Sequence, residues 1–131
     1  MSPFLSFEEL AFDPDTGTPK WSEALSALRL ENQEGIQLVR AKGGISADYV
    51  DASDPTSLYD IAGGQSQNMK QSSLYDIQGL ITAVTRKLSK PGSTTKVAVD
   101  LNGFSSQEKS TILGSLSSLD QTRVVIIDGE L

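Results

Sequence analysis

Two aspartates near the middle of the chain have a spacing that could support chemistry. Asp48 lies in ISADYV and Asp60 in SLYDIA, and the run DASDPTS between them is dense in turn-forming residues. If the chain forms a hairpin with its turn centred on Asp54, then Asp48 stands directly opposite Asp60 on one face of the sheet. Directly opposed residues have Cβ atoms about 4.5–5.5 Å apart. Two carboxylates that close repel each other unless one is protonated or a cation lies between them.

Oxygen ligands at this separation suit a hard divalent cation. Mg²⁺ or Mn²⁺ in such a site activates water and neutralises charge that develops on a phosphate. The prediction depends on the register of the hairpin, because a slip of one residue moves the two side chains to opposite faces. The alternative is that Asp48, Asp51, Asp54 and Asp60 only decorate a solvated hairpin, since aspartate is a favoured turn residue.

Length and composition limit the kinds of protein that this chain can be. With 131 residues and 37% hydrophobic residues, the chain can bury one hydrophobic core. It has no His, which excludes Ser-His-Asp and Cys-His catalysis, and no Cys, which excludes disulfides and thiolate metal sites. No apolar segment approaches the roughly 20 residues that cross a bilayer. Any catalysis must therefore use carboxylates, Lys, Arg, Tyr or a metal held by oxygen ligands.

The charge of the chain is unevenly distributed. The net charge is −6, yet the segment from residue 86 to residue 96 contains no acid. Its four basic side chains are Arg86, Lys87, Lys90 and Lys96. They form a candidate nucleic-acid-contacting patch, and the alternative is that they only favour a helix C-terminus through its dipole.

The periodicity of the apolar residues predicts an α/β fold in a single domain. Helices are predicted to begin near Trp21 and Ile77 and again after Ser105, which has capping-box spacing with Glu108. Short apolar runs predict strands at residues 36–41, 47–50, 58–61, 96–101 and 123–127. The second and third of these strands form the hairpin. The closing strand, helix and strand have the layout of a parallel βαβ crossover.

The run ALRLENQEGIQLVRAKGGISADYVDASDPTSLYDIAGG resembles the PD-(D/E)xK nuclease core found in C-terminal toxin domains of bacterial contact-dependent inhibition and related polymorphic toxin systems. That core has a helix bearing a Glu, a short strand, an Asp that opens a hairpin, and an acid-x-Lys at the end of the next strand. By this resemblance Glu31 matches the helix acid and Asp48 the Asp of PD, with Ala47 where the family often has Pro. Asp60 matches the second acid.

The resemblance extends to the end of the chain. The segment KVAVDLNGFSSQEKSTILGSLSSLDQTRVVIIDGEL is similar to the closing strand, helix and strand of such toxin domains. It implies a nuclease core over residues 20–131, built as a restriction-endonuclease-like mixed sheet flanked by helices. Residues 1–19 are then an N-terminal arm, or a short helix and loop.

The chain departs from the family pattern at the catalytic lysine. Two residues after Asp60, where the family has the Lys that orients the attacking water and stabilises charge, this chain has Ala62. Three explanations are open. The role has moved to Lys70 or to a polar residue such as Gln65; the domain binds metal and nucleic acid without fast cleavage; or Ala62 is an inactivating substitution. The backbone carbonyl of Ile61 remains available as a metal ligand in all three cases.

The resemblance implies a metal-dependent nuclease toxin that cleaves DNA or tRNA in a target bacterium. It implies Mg²⁺, or alternatively Mn²⁺ or Zn²⁺, held by Asp48, Asp60 and the carbonyl of Ile61, with Glu31 assisting and Lys70 as the candidate cation. The domain would be part of a larger secreted or cell-surface protein, would act in the cytoplasm of the target cell, and would be neutralised by a cognate immunity protein.

A second hypothesis is a non-enzymatic acidic α/β interaction domain of the immunity or antagonist type. The net charge of −6 fits a basic partner for such a domain. The sequence gives no indication of the oligomeric state.

Overall fold

The structure is a computed structural model that describes residues 3–14, 17–42, 45, 47–63, 73–90 and 94–129. The helices are α1 (Pro3–Ala11), α2 (Trp21–Glu34), α3 (Ser73–Leu88) and α4 (Ser106–Leu116). The strands are β1 (Phe12–Asp13), β2 (Thr18–Pro19), β3 (Leu38–Arg40), β4 (Tyr49–Asp51), β5 (Asp54–Gly63), β6 (Lys96–Asp100) and β7 (Val124–Ile127).

A five-stranded mixed sheet with the order β3-β4-β5-β6-β7 organises the domain. Strands β3, β4 and β5 are antiparallel neighbours, whereas β5, β6 and β7 run parallel. Helices flank this sheet, so the predicted single α/β domain with a mixed sheet is confirmed. Strands β1 and β2 form a separate antiparallel pair that the sequence analysis did not predict.

The hairpin of β4 and β5 has the predicted register next to the aspartates but a different turn. Tyr49 pairs with Tyr59 and Val50 with Leu58, which is the alignment that brings Asp48 toward Asp60. The turn is not centred on Asp54, however, because Asp54 itself pairs with Asp51 after a bulge between Val50 and Asp51. A bulge places extra residues on one strand and bends it, and apolar alternation in the sequence does not reveal it.

Two aspartate side chains stabilise the ends of this tight turn. The carboxylate of Asp51 accepts hydrogen bonds from the backbone and hydroxyl of Ser53, both at 2.9 Å. The carboxylate of Asp54 likewise accepts from the backbone of Thr56 at 3.0 Å and from its hydroxyl at 2.6 Å. The solvated-hairpin interpretation therefore describes these two aspartates.

The sheet separates two hydrophobic cores. The first core lies under α1 and α2, and its buried members are Leu10, Ala11, Ala24, Ala27, Leu30, Leu38, Tyr49, Tyr59, Ile61, Ala98 and Ile127. The second core lies under α3 and α4, and its buried members are Ala62, Ile77, Leu80, Val84, Val97, Val99, Leu101, Ile112 and Leu116. Since Tyr59 and Ile61 belong to the first core and Ala62 to the second, the alternation along β5 directs Asp60 toward the α3 side.

Helix α1 contributes to the first core through Leu10 and Ala11, both of which are buried. The predicted boundary between residues 1–19 and residues 20–131 stays a prediction. The packing nevertheless joins the N-terminal helix to the sheet, because Arg40 of β3 donates from Nε to the carbonyl of Leu10 at 2.8 Å. The hydroxyl of Tyr49 donates to the same carbonyl at 2.7 Å.

Local signals in the sequence explain where α4 begins and where α2 ends. The capping box predicted for α4 is confirmed, since the side chain of Ser105 accepts from the backbone of Glu108 and the side chain of Glu108 accepts in return. Helix α2 ends at Gly35, whose φ of 67° is the left-handed conformation that glycine adopts at no steric cost.

Gly63 ends β5 in a conformation that only glycine suits. Its φ is 76°, and a Cβ built on it would lie 2.5 Å from the backbone oxygen of Asp100 in the neighbouring strand. We expect Gly63→Ala to lower the free energy of unfolding by about 1–3 kcal/mol, because alanine is strained there and the backbone it meets cannot move away. Urea unfolding measures this loss. Gly79→Ala is the control, since nothing lies within 4 Å of that Cβ in α3; equal stability of the two variants would contradict the prediction.

Candidate functional site

Asp48 lies immediately before β4 and connects three strands. Its N–H donates to the carbonyl of Tyr59 and its own carbonyl accepts from the N–H of Ala41, both at 3.1 Å. Its side-chain Oδ2 accepts from the N–H of Ile61 at 2.9 Å. This bond holds the carboxylate of Asp48 against β5, just before the first residue of β4.

The environment of Asp48 raises the pKa of its carboxyl group above the ordinary value. Burial is the largest cause, and the negative charge of Asp60 acts in the same direction. The hydrogen bond from Ile61 and the positive charges of Lys87 and Arg40 oppose the rise. The structure therefore brings Asp48 and Asp60 into electrostatic contact, as the predicted register requires.

Asp60 is a buried aspartate in the middle of β5, with 3% of its surface exposed. Its Oδ2 atom is buried and accepts no hydrogen bond from the residues that the structure describes. The ammonium of Lys90 lies 3.7 Å from this oxygen. A buried carboxylate oxygen without a hydrogen bond is costly and uncommon in folded proteins. Such an atom is a candidate position for binding a cation or a hydrogen-bond donor.

The four basic residues of the predicted cluster have different contacts in the structure. Lys87, in the last turn of α3, acts on Asp48 through its charge, and Lys90 pairs with Asp60. Arg86 is exposed on the same turn. Lys96 lies over the ring of Tyr59 with its ammonium 5.4 Å from the ring centre, so it points toward the other face of the sheet. Contact of these four residues with nucleic acid stays a prediction.

Glu31 is placed at the junction of α2 and β3. Its Oε2 accepts from the N–H of Leu38 at 2.7 Å, so the carboxylate ties the end of α2 to the first residue of β3. Burial raises the pKa of Glu31, and the hydrogen bond from Leu38 opposes that rise. The structure thus gives Glu31 a backbone partner, and no charge of the aspartate pair contributes to its raised pKa.

Glu23 of α2 is a half-buried acid that the sequence did not single out. Burial raises the pKa of Glu23 and the charge of Asp48 raises it further, whereas Arg40 lowers it. The Nη1 atom of Arg40 lies 3.5 Å from Oε2 of Glu23. Glu23 precedes Glu31 by about 12 Å along the helix axis at 1.5 Å per residue.

The position of the expected catalytic lysine lies in the second core. Ala62 is 6% exposed and packs among the residues under α3. The two other candidates for this role, Lys70 and Gln65, lie outside the described residues.

Mg²⁺ is usually held by one or two carboxylates together with water and substrate phosphates. Within the described ranges no group of three or more His, Cys, Asp or Glu could hold a metal ion. A cation at the aspartate pair would therefore have Asp48 and Asp60 as its two carboxylate ligands there. The buried Oδ2 of Asp60 is the atom that a cation would satisfy. The N–H and the carbonyl of one strand residue point to the same neighbouring strand. Because the N–H of Ile61 donates to Asp48, the carbonyl of Ile61 also points toward the end of β4.

Glu31→Gln tests whether Glu31 acts on stability through its charge. Since burial raises its pKa, native Glu31 keeps its proton to a higher pH than the unfolded chain does. Its contribution to stability is therefore complete below the unfolded value near 4.5 and is lost as the pH rises through the native value. We expect the stability of Glu31→Gln, relative to the unsubstituted domain, to increase from pH 4 to pH 7, as measured by urea unfolding. A difference that is constant across this range would contradict the prediction.

The chain is similar in fold to a solved toxin domain. A CdiA-CT toxin from Burkholderia pseudomallei, solved in complex with its cognate CdiI immunity protein, superposes with a TM-score of 0.64. The identity is 20%, and the match covers 82% of this chain and 98% of that chain. No protein-family model matches the chain, and a search of curated proteins found no match either. The chain thus has a mixed α/β fold that is similar to the fold of that CdiA-CT domain.

None of the helices in the described ranges is long and apolar enough to cross a membrane.

Proposed function

We propose that this domain is the toxin effector portion of a contact-dependent growth inhibition protein and that it is a divalent-metal-dependent nuclease. The fold shared with a CdiA-CT toxin supports the toxin assignment. The observation that carries the nuclease assignment is the buried pair of Asp48 and Asp60, in which one carboxylate oxygen has no hydrogen bond within the described residues. A fold that keeps such a pair loses stability unless a ligand compensates, which is typical of functional sites.

The reaction is hydrolysis of a phosphodiester in DNA or tRNA. The oxygen of a water molecule forms a bond to phosphorus, the bond from phosphorus to a sugar oxygen breaks, and the leaving oxygen takes up a proton. The proton released by the attacking water passes to a carboxylate or to solvent. Asp48, Asp60 and the carbonyl of Ile61 would hold Mg²⁺, which would supply Lewis acidity and lower the pKa of water. Mn²⁺ and Zn²⁺ are the alternatives to it.

The residues of the chain have separate tasks in this proposal. Asp60 supplies the buried oxygen, and Asp48 is oriented by the N–H of Ile61. Glu31 keeps the assisting role that the resemblance gives it, and Glu23 is a second candidate for the helix acid because the charge of Asp48 contributes to its raised pKa. The raised pKa of Glu23 brings this acid nearer to neutral pH, where a proton acceptor is most effective.

The proposal includes a partner and a place of action. The similar toxin is bound to its immunity protein, so we assign a cognate immunity protein to this domain, with a surface that covers the aspartate pair or its approach. The domain would belong to a larger secreted or cell-surface protein and act in the cytoplasm of the target cell.

Cleavage by the purified domain tests the proposal directly. Plasmid DNA and bulk tRNA are incubated separately with the domain in Mg²⁺, Mn²⁺ or Zn²⁺, and each reaction is repeated with excess EDTA. We expect cleavage of one nucleic acid class that EDTA abolishes. No cleavage with any of the three metals, together with normal growth of bacteria that express the domain internally, would overturn the proposal.

The net charge of −6 favours the second candidate, an acidic interaction domain with a basic partner. Calorimetric titration separates the two candidates. Binding of Mg²⁺ or Mn²⁺ that is lost in Asp60→Ala supports the nuclease, whereas indifference to metal combined with tight binding of a basic protein supports the interaction domain.

A further inference from the structure

A lysine at position 62, where the resemblance expects the catalytic lysine, would replace a residue of the second core. Ala62 and Asp60 face the same side of the sheet, and Ala62 packs among the apolar residues of the second core. The side chain of a lysine at this position would start in a region from which water is excluded. Burying its charge there would be costly. The small apolar residue at position 62 is therefore explained by packing under α3.

Lys90 reaches the aspartate pair from a different element. It follows the C-terminus of α3, and its ammonium lies 3.7 Å from Oδ2 of Asp60, the oxygen that accepts no hydrogen bond in the described part of the chain. The side chain of Lys90 is 40% exposed, whereas that of Asp60 is 4% exposed. Lys90 thus extends from solvent toward a buried carboxylate, with its charge at the helix end where the dipole favours cations.

We propose that Lys90 supplies the positive charge that position 62 lacks. In the proposed nuclease, on which this inference rests, Lys90 holds the carboxylate of Asp60 in place and stabilises the negative charge that develops on the phosphate during hydrolysis. The ammonium stays protonated and forms no covalent bond, so the proton balance of the hydrolysis is unchanged. Lys87 differs from Lys90 because its charge acts on Asp48.

The alternative role for Lys90 is structural neutralisation of Asp60. A neutralising lysine affects folding and leaves the rate of a folded enzyme unchanged. A lysine that stabilises the transition state affects kcat and leaves KM for the nucleic acid nearly constant. The two roles also differ for metal binding, since removal of a positive charge near Asp60 favours binding of a cation there.

The experiment compares Lys90→Ala, Lys90→Arg and Lys109→Ala in the full chain. Lys109 of α4 is the matched control because it pairs with Asp128 at 2.8 Å on the surface, away from Asp48 and Asp60. Each variant is assayed for kcat and KM on the nucleic acid that the unsubstituted domain cleaves, and for Mn²⁺ affinity by calorimetry. Thermal unfolding establishes that each variant is folded.

We expect Lys90→Ala to lower kcat by about 10²-fold, the effect typical of removing one group that stabilises transition-state charge. KM should change less than about threefold, Lys90→Arg should recover at least a tenth of the lost rate, and Lys109→Ala should match the unsubstituted domain. Mn²⁺ should bind Lys90→Ala as tightly as the unsubstituted domain or more tightly.

Two results would overturn the assignment of Lys90 and leave the nuclease proposal intact. One is a Lys90→Ala variant that cleaves at the unsubstituted rate. The other is a Lys90→Ala variant that loses Mn²⁺ binding and thermal stability together with activity, with no recovery in Lys90→Arg. Failure of the unsubstituted domain to cleave is a different outcome and overturns the proposed function itself.

Discussion

Asp60→Asn is expected to reduce cleavage by about 10²–10⁴-fold, the range associated with loss of a positioned acid–base or metal-binding group. Asparagine has nearly the shape of aspartate but carries no charge, so it neither attracts a divalent cation strongly nor pairs with the ammonium of Lys90. Activity on DNA and tRNA in Mg²⁺, with the metal concentration varied, measures the effect. Recovery of the full rate at high Mg²⁺ would contradict the expectation that the carboxylate is required for the reaction itself.

The same substitution is expected to leave the free energy of unfolding unchanged or to raise it. Asp60 is a buried charge whose Oδ2 has no hydrogen bond within the described ranges, and its ion pair with Lys90 spans 3.7 Å. Removing one partner of a buried pair is costly when it leaves the other charge buried, but Lys90 is 40% exposed and keeps its contact with water. Asp128→Asn, on the surface opposite Lys109, is the control for the general effect of losing one carboxylate. A loss of both activity and several kcal/mol of stability in Asp60→Asn would assign Asp60 a structural role.

The face on which each hairpin residue lies could be predicted, because side chains alternate strictly along a strand. The pairing of Tyr49 with Tyr59, which brings Asp48 to Asp60, is not determined by alternation, since a shift of two residues keeps the same pattern. The turn could not be predicted, because the bulge after Val50 changes the count of residues on one strand without changing the pattern of apolar residues. The predicted register was nevertheless correct beside the aspartates. The turn lies closer to β4 than predicted, and the extra residues of the bulge on β5 restore the alignment.

The remaining members of the candidate site depend on distant parts of the chain. Glu23 and Glu31 lie on the same helix with different partners, and only the packing of α2 on the sheet decides that Glu23 meets Arg40 while Glu31 meets the N–H of Leu38. Lys90 meets Asp60 because α3 packs over the sheet and ends beside β5. No local pattern reports that contact. Motif spacing singled out the two aspartates, whereas the contacts of Glu23, Glu31 and Lys90 are set by tertiary packing.

Asp100 is a second buried aspartate, and it differs from Asp60 in having its oxygens hydrogen-bonded. Its Oδ2 accepts from the hydroxyl of Ser26 at 2.7 Å and from Nη1 of Arg29 at 2.8 Å. Its Oδ1 accepts from the backbone of Asn102 at 2.9 Å and from the side-chain amide of Asn102 at 2.8 Å. These bonds connect α2 to the end of β6, so the carboxylate organises the packing of a helix on the sheet.

Asp100→Ala is therefore expected to lower the free energy of unfolding by about 3–5 kcal/mol, the range for breaking a buried, hydrogen-bonded ion pair by removal of one partner. Arg29 would keep a charge whose side chain is only 16% exposed, and Ser26 and Asn102 would lose their acceptor. Asp100→Asn should cost less, because its amide oxygen still accepts hydrogen bonds although the pairing with the charge of Arg29 is weakened. Urea unfolding at pH 7 measures both variants.

The two substitutions together test whether Asp60 is a functional carboxylate and Asp100 a structural one. An Asp100 variant that remains folded should retain its rate of cleavage per folded molecule, because the bonds of Asp100 go to α2 and Asn102. Asp60→Asn should show the reverse, with stability retained and cleavage lost. If Asp100→Ala loses less than about 1 kcal/mol, the network at α2 contributes no more than an ordinary surface hydrogen bond. Asp100 would then belong, like Asp60, to the buried carboxylates that need a functional explanation.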